Sequence, residues 1–308
     1  MAIPYKYVPS KRRKTLRPPK HTINEILCFI SQTDRAQRDE SLMLLTLWVI
    51  LAAISRHPSR RYLVVKGGTL LRLLHGQSIG RVSKDLDLSL YARDPKKFQP
   101  EVMTGPIITS ARHILSDLVS DPTSITIELT LRPEAARHGN TQLYRFRLFA
   151  AAAGMRVDNA HFRIELSVDE AVIEDHLMGL IVNPLHGMGL QLPIRVQAYD
   201  PIQALAEKLR AILQKHAHFD HNGNTANWEP RHVTDLLLLM EHVPALGGLD
   251  DLAAVFAAKC AAKREMLPPE LSTRARMLPE PLQKIVLTKP NGPAAWVLLE
   301  RLARIVLP

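Results

Sequence analysis

Cysteine is nearly missing from this chain of 308 residues: Cys28 and Cys260 are the only two, far apart and in no metal-ligand spacing. That excludes a disulfide framework and fits a reducing cytoplasm. Long apolar runs are missing too. The longest, around Leu42 to Ile54, contains Thr46 and Trp48 and stops well short of the roughly 20 residues a spanning helix needs. No apolar stretch follows the basic N-terminus, which argues against a secretory signal. The spacings Gly-x-x-x-x-Gly-Lys and Gly-x-Gly-x-x-Gly do not occur, so there is neither a P-loop nor a dinucleotide fingerprint. A Gly-x-Ser-x-Gly element is lacking as well. His216, His218 and His221 have no matching Cys/His set in zinc-site spacing and read as loop residues. A soluble cytoplasmic protein without a nucleophilic hydrolase site is the expectation.

Hydrophobic residues make up 46% of the chain, enough for a sizeable core in one large domain or two modest ones. The formal net charge is +10 and the pI near 9.7, a balance that favours a polyanionic partner. Residues 1–20 hold seven of the cations, among them Lys11, Arg12, Arg13 and Lys14, interleaved with four prolines. This reads as a cationic arm that orders on contact with a partner.

The most informative stretch is Val64-Val65-Lys66-Gly67-Gly68-Thr69-Leu70, followed by Arg81-Val82-Ser83-Lys84-Asp85-Leu86-Asp87-Leu88. It predicts a strand, a glycine turn, a helix, and a second strand with carboxylates at alternate positions. Residues i and i+2 of a strand share a face, so Asp85 and Asp87 project together while Leu86 and Leu88 face the core. Paired carboxylates repel unless a cation lies between them, and hard oxygen donors suit Mg²⁺. A glycine turn opening a helix lets backbone N–H groups approach a phosphate. Metal ligands beside a phosphate cradle point to nucleotidyl transfer.

Further along, Ile23, Ile26, Leu27 and Ile30 mark a helix starting near Thr22, and Ser41 to Ser55 a buried one. Ile107 to Val119 predicts another helix. Ile125–Leu131, Tyr144–Ala150 and Phe162–Val168 alternate as strands. Beyond Pro201 the pattern is helical, with a polar loop at His216 to Pro230. The expectation is an α/β (α+β) core with a mixed sheet over residues 21–200, followed by a helical region over 201–308. A third carboxylate is expected on a neighbouring strand. Glu165, flanked by Ile164 and Leu166, is the first choice; Glu128, in the same local pattern, is the other.

Lys-Gly-Gly-Thr, an amphipathic helix and Arg-x-Ser-x-Asp-Leu-Asp-Leu together resemble the AbiEii/AbiGii nucleotidyltransferase toxins, which include MenT-type toxins and are similar to polymerase-β-like nucleotidyltransferases. The local match runs from Lys66 to Leu88, with weaker support out to about Leu239. In that family a Glu-Lys-Leu helix start and a later Arg-x-x-x-Asp-Leu segment carry a functional lysine and aspartate, which fall on Lys208 and Asp235. The resemblance implies the toxin half of a bacterial toxin–antitoxin system that adds nucleotides from an NTP to the 3′ end of tRNA. Asp85, Asp87 and Glu165 would hold Mg²⁺, with Mn²⁺ as the alternative. Lys66, Gly67, Gly68, Thr69, Arg81, Ser83 and Lys208 would bind the nucleotide. The partners implied are tRNA, NTP and a cognate antitoxin, with no membrane and a monomer as the default. The basic arm, Arg145 and Arg147 would track the RNA backbone. An antitoxin could bind the toxin, repress its transcription or modify it at hydroxyls such as Thr69 or Ser83, and the sequence does not choose among these. The same carboxylates would also serve nucleotidyl or phosphoryl transfer to a protein. A non-catalytic nucleotide- or RNA-binding regulator is the reading outside catalysis.

Overall fold

The computed structural model describes residues 20–34, 38–76, 85–91, 100–120, 125–135, 142–152, 161–168, 170–222, 231–243, 249–262 and 280–307. Most of the cationic arm, together with Arg81, Ser83 and Lys84, lies outside the described residues.

Helix α1 (Ile23–Asp34) opens with a capping box. The Glu25 backbone N–H donates to the Thr22 hydroxyl at 3.3 Å, and the Thr22 N–H donates to the Glu25 carboxylate at 2.7 Å. Helix α2 (Arg38–Arg56) is apolar around most of its circumference, and Leu42 to Ile54 are all buried. Such a helix needs cover on every side; α1, α4 (Pro100–Leu118) and the sheet provide it. No helix among the described residues is long and apolar enough to cross a membrane. Helix α4 begins earlier than the expected Ile107 and runs through Pro106, its apolar positions Ile107, Ala111, Ile114 and Leu118 packed inward.

Among the described residues seven strands form one mixed sheet: β1 (Leu63–Lys66), β2 (Asp85–Leu90), β3 (Ile125–Ala135), β4 (Gln142–Ala152), β5 (His161–Ser167), β6 (Leu177–Val182) and β7 (Ile194–Tyr199). Their order across the sheet is β3-β4-β5-β2-β1-β7-β6. Strand β1 runs antiparallel to β2 and parallel to β7, while β2 runs parallel to β5. Helix α3 (Gly67–His75) connects β1 toward β2. The strands at 125–135, 142–152 and 161–167 fall on the three expected runs. Two more, β6 and β7, come from a segment whose pattern had suggested no strand. β7 is short and follows Pro193, and β6 is an edge strand with a glycine at its centre, so neither carries a long alternation.

Among the described residues helices α5 (Pro201–Asn222), α6 (Arg231–Met240), α7 (Leu252–Ala262), α8 (Glu280–Leu287) and α9 (Gly292–Val306) follow. The polar segment expected to be a loop from His216 is helical through Asn222, as the last two turns of α5. The expected boundary near Asp200 falls where β7 hands over to α5, and the Asp200 carboxylate accepts the Gln203 N–H at 2.8 Å. Leu205, Leu209, Leu236, Phe256 and Leu299 belong to the same continuous core as the strand residues Val64, Leu86 and Leu166. The fold is thus a mixed sheet with helices, followed by a helical region sharing its core.

Candidate active site

Alternation in β2 buries Leu86 and Leu88 and leaves Asp85 and Asp87 half-buried on the other face. Register does the rest. Asp87 is opposite Lys66 of β1 and beside Glu165 of β5, while Asp85 is beside Arg163. Glu165 is in turn opposite Arg145 of β4, itself opposite Arg132 of β3. One row across five strands therefore reads Arg132, Arg145, Glu165, Asp87, Lys66. Glu128 pairs with Phe149, which pairs with His161, two rows away and on the far side of β4. Of the two candidate third carboxylates, Glu165 is the one at the aspartates.

Gly67 has φ +65°, and a β-carbon there would fall 2.0 Å from Asp87 Oδ2. The Asp87 carboxylate thus lies against the start of α3, in space only glycine leaves open. Thr69 opens the helix as expected, but it is fully buried and its hydroxyl donates to the Asp85 carbonyl at 3.1 Å. That bond fastens α3 to β2 and holds the hydroxyl inside the fold.

Asp87 is pushed up to about 6, chiefly by burial and then by the charges of Glu165 and Asp85; Lys66 and Lys208 pull the other way without prevailing. Asp85 is better compensated: Arg163 Nε donates to it at 2.7 Å and a second guanidinium nitrogen at 3.3 Å. From the helical region, Lys208 Nζ lies 2.8 Å from Asp235 Oδ2 and 3.1 Å from His232 Nδ1. Strand, glycine turn, alternate aspartates and a paired lysine–aspartate thus converge from segments far apart in sequence.

The model of the nucleotidyl transferase AbiEii toxin, type IV TA system, matches residues 49–291. The chain belongs to the AbiEii nucleotidyltransferase toxin family. It is accordingly a nucleotidyltransferase of the toxin half of a toxin–antitoxin system, and the family implies an NTP substrate, a divalent cation and an antitoxin partner. No curated protein matches the chain by sequence. Among solved structures it is similar to MenT4, nucleotidyltransferase toxin Rv2826c from Mycobacterium tuberculosis H37Rv. The identity is 15%, the TM-score 0.38, and the alignment covers 92% of this chain and 99% of that one.

Around Lys66 this AbiEii chain holds a polar cluster that the sequence pattern did not disclose. The Lys66 ammonium pairs with the buried carboxylate of Glu170, donates to the Ser167 hydroxyl at 3.2 Å and lies 3.7 Å from Glu207. Glu170 also accepts from the hydroxyls of Ser89 and, at 3.3 Å, Tyr199. Burial works against the Lys66 charge, but Glu170 and Glu207 outweigh it and hold its pKa above the ordinary lysine value. Lys66 is therefore committed to Glu170 and contributes to Asp87 as a fixed charge. Lys259 of α7 is fully buried, 3.4 Å from Glu207 and 3.9 Å above the Tyr199 ring. Burial lowers its pKa. A lone lysine among the alanines and apolar residues of α7 was the one signal that could have pointed to it. Glu170 had none, since it follows β5 outside any alternating pattern.

Among the described residues no group of three or more His, Cys, Asp and Glu is arranged to hold a metal ion. The donor set nevertheless suits a hard divalent cation. Asp85, Asp87 and Glu165 are oxygen donors, and burial together with the two neighbouring carboxylates raises the Asp87 pKa, an effect a bound cation would offset. A cation bound by one or two carboxylates and by substrate phosphates requires no prebuilt protein cage.

Proposed function

We propose that this toxin transfers nucleotides from an NTP to the 3′ end of tRNA, with Mg²⁺ as the cation and pyrophosphate as the leaving group. The observation that carries the reading is the row in which Asp87 and Glu165 stand side by side, with the charges of Lys66 and Lys208 acting on Asp87. Asp85, Asp87 and Glu165 would hold Mg²⁺, or Mn²⁺ in its place, and the cation would supply neutralisation of phosphate charge. Gly67 and Gly68 keep side chains away from the start of α3, where backbone N–H groups receive phosphate oxygens. Lys208, oriented by Asp235, adds a point charge on the triphosphate. Where Arg81 and Ser83 fit the family lead-in, they serve the same nucleotide.

In this reading the acceptor 3′-hydroxyl attacks the α-phosphorus. Its oxygen forms the new phosphodiester, the bond to the β-phosphate breaks, and Glu165 takes the hydroxyl proton. Extension of the acceptor end stops aminoacylation and with it translation, in the cytoplasm, so a cognate antitoxin protects the host. The net charge of +10 supports a polyanionic acceptor.

The test is incubation of the purified protein with Mg²⁺, total tRNA and each α-labelled NTP in turn, beside an Asp87→Ala variant. Label on tRNA that disappears in the variant is the expected result. Label on a protein band, or transfer from γ-labelled ATP, replaces the reading with nucleotidylation or phosphorylation of a protein. No label in any lane leaves a non-catalytic regulator.

A further inference from the structure

Two neighbouring strands carry four charged side chains at the corners of a square. On β2 these are Asp85 and Asp87; on β5 the register sets Arg163 beside Asp85 and Glu165 beside Asp87. Residues two apart in a strand share a face, so all four project from the same side of the sheet. Three corners are carboxylates and one is a guanidinium. Arg163 Nε donates to Asp85 Oδ1 at 2.7 Å and Nη2 donates to Asp85 Oδ2 at 3.3 Å, so the guanidinium engages both oxygens of that carboxylate. The hydrogen bonding to Asp85, and after it the charges of Asp85, Glu165 and Asp87, outweigh burial and hold the Arg163 pKa above the ordinary arginine value. Arg163 is thus the cation of this square.

A divalent cation on Asp85 competes with this guanidinium for the same oxygens. The guanidinium is the partner that yields. Its side chain is 44% exposed, and an ion pair so open to water contributes little. A divalent ion brings twice the charge toward the same three carboxylates. Arg163 also has somewhere to go, because the paired donors that fit a carboxylate fit phosphate oxygens as well. Resting on the reading in which Asp85 binds the cation and an NTP is the substrate, we infer that Arg163 is an exchangeable counter-ion of the metal site. It holds Asp85 until cation and nucleotide arrive together, and then passes from the carboxylate to the triphosphate. Cation alone has to displace Arg163 into water, whereas cation with a triphosphate offers the guanidinium a second anion. Nucleotide therefore strengthens cation binding through Arg163, and by reciprocity the cation strengthens nucleotide binding.

The test measures binding without turnover, on the full chain. Mn²⁺ affinity is read by electron paramagnetic resonance in wild type, Arg163→Gln, Asp85→Asn and the double variant. Affinity for each α,β-methylene NTP is read by calorimetry, with Mn²⁺ and in chelator. Arg163→Gln is expected to bind Mn²⁺ alone about three- to tenfold more tightly than wild type. That gain disappears when the same substitution is made beside Asp85→Asn, because the two residues act on one another. The factor by which Mn²⁺ strengthens nucleotide binding falls in Arg163→Gln by a similar amount. Unchanged or weaker Mn²⁺ binding by Arg163→Gln, with Asp85→Asn itself weakening it, overturns the exchange and leaves Asp85 as a ligand. An equal gain with and without the Asp85 carboxylate also overturns it, since the effect is then one of net charge. Mn²⁺ binding that Asp85→Asn leaves unchanged is a separate result: the assignment of Asp85 to the cation fails, and the exchange falls with it.

Discussion

Glu170 and Asp87 both neighbour Lys66 but differ in what surrounds them. Glu170 receives the Lys66 ammonium and the hydroxyls of Ser89 and Tyr199 in a buried setting. Asp87, the register partner of the same lysine, faces Glu165 and Asp85 and is pushed up to about 6. The Glu170 carboxylate has a cation and two hydroxyls as partners, whereas the Asp87 carboxylate faces two further carboxylates. A buried carboxylate with its partners in place is support, because removing one partner strands a charge. A buried carboxylate facing two others, whose raised pKa a bound cation would offset, is a candidate site for one.

Breaking the Asp87 side should cost activity most. Asp87→Ala is expected to lower kcat by about 10³-fold or more while leaving the circular-dichroism spectrum unchanged. A loss below tenfold would move the chemistry away from β2. Breaking the Glu170 side should cost stability instead: Glu170→Ala strands Lys66 and is expected to destabilise by about 3–5 kcal/mol in urea titration.

Ionisation sharpens the contrast further. The folded pKa of Asp87, about 6, lies above its ordinary value of 3.8, so the fold favours the protonated form. Stability from this group is fully present below about pH 4 and is lost as pH rises to about 6. Without divalent cation, Asp87→Asn should escape that loss and be more stable than wild type at pH 7, by up to about 3 kcal/mol. Urea midpoints at pH 5 and 7 in chelator check the sign, and a variant less stable at pH 7 would refute the electrostatic account. Gly67→Ala, where φ is positive and the new carbon meets Asp87, should cost about 1–3 kcal/mol and displace the carboxylate. Retained activity in that variant would show that the contact is dispensable. Smallest is removal of residues 1–19, which should weaken tRNA binding several-fold at low salt and leave KM for NTP alone.

Local pattern made much of this legible. The alternation Asp85, Leu86, Asp87, Leu88 and the glycines at 67 and 68 sufficed for the strand, turn and helix, since each is a short-range consequence of sequence. The three strand-like runs between Ile125 and Val168 were visible for the same reason. What was not visible depends on register and on long-range packing. Nothing in Ile127-Glu128-Leu129 distinguishes it from Ile164-Glu165-Leu166, and only the parallel pairing of β2 with β5 places Glu165 beside Asp87. Likewise Thr69 carries a hydroxyl suited to a nucleotide, yet helix packing turns it to the Asp85 carbonyl. His216 to Asn222 reads as polar loop, but a helix surface is polar too, and α5 simply continues.

The central claim is that the carboxylate row is completed by a divalent cation and a nucleotide. The most direct test compares the rise in Tm on adding Mg²⁺ with each NTP to wild type and to Asp87→Asn at pH 7. A rise of several degrees in wild type with at least one NTP, and little or none in the variant, is the predicted result. Equal rises in both proteins would contradict the claim, because the nucleotide would then bind without Asp87.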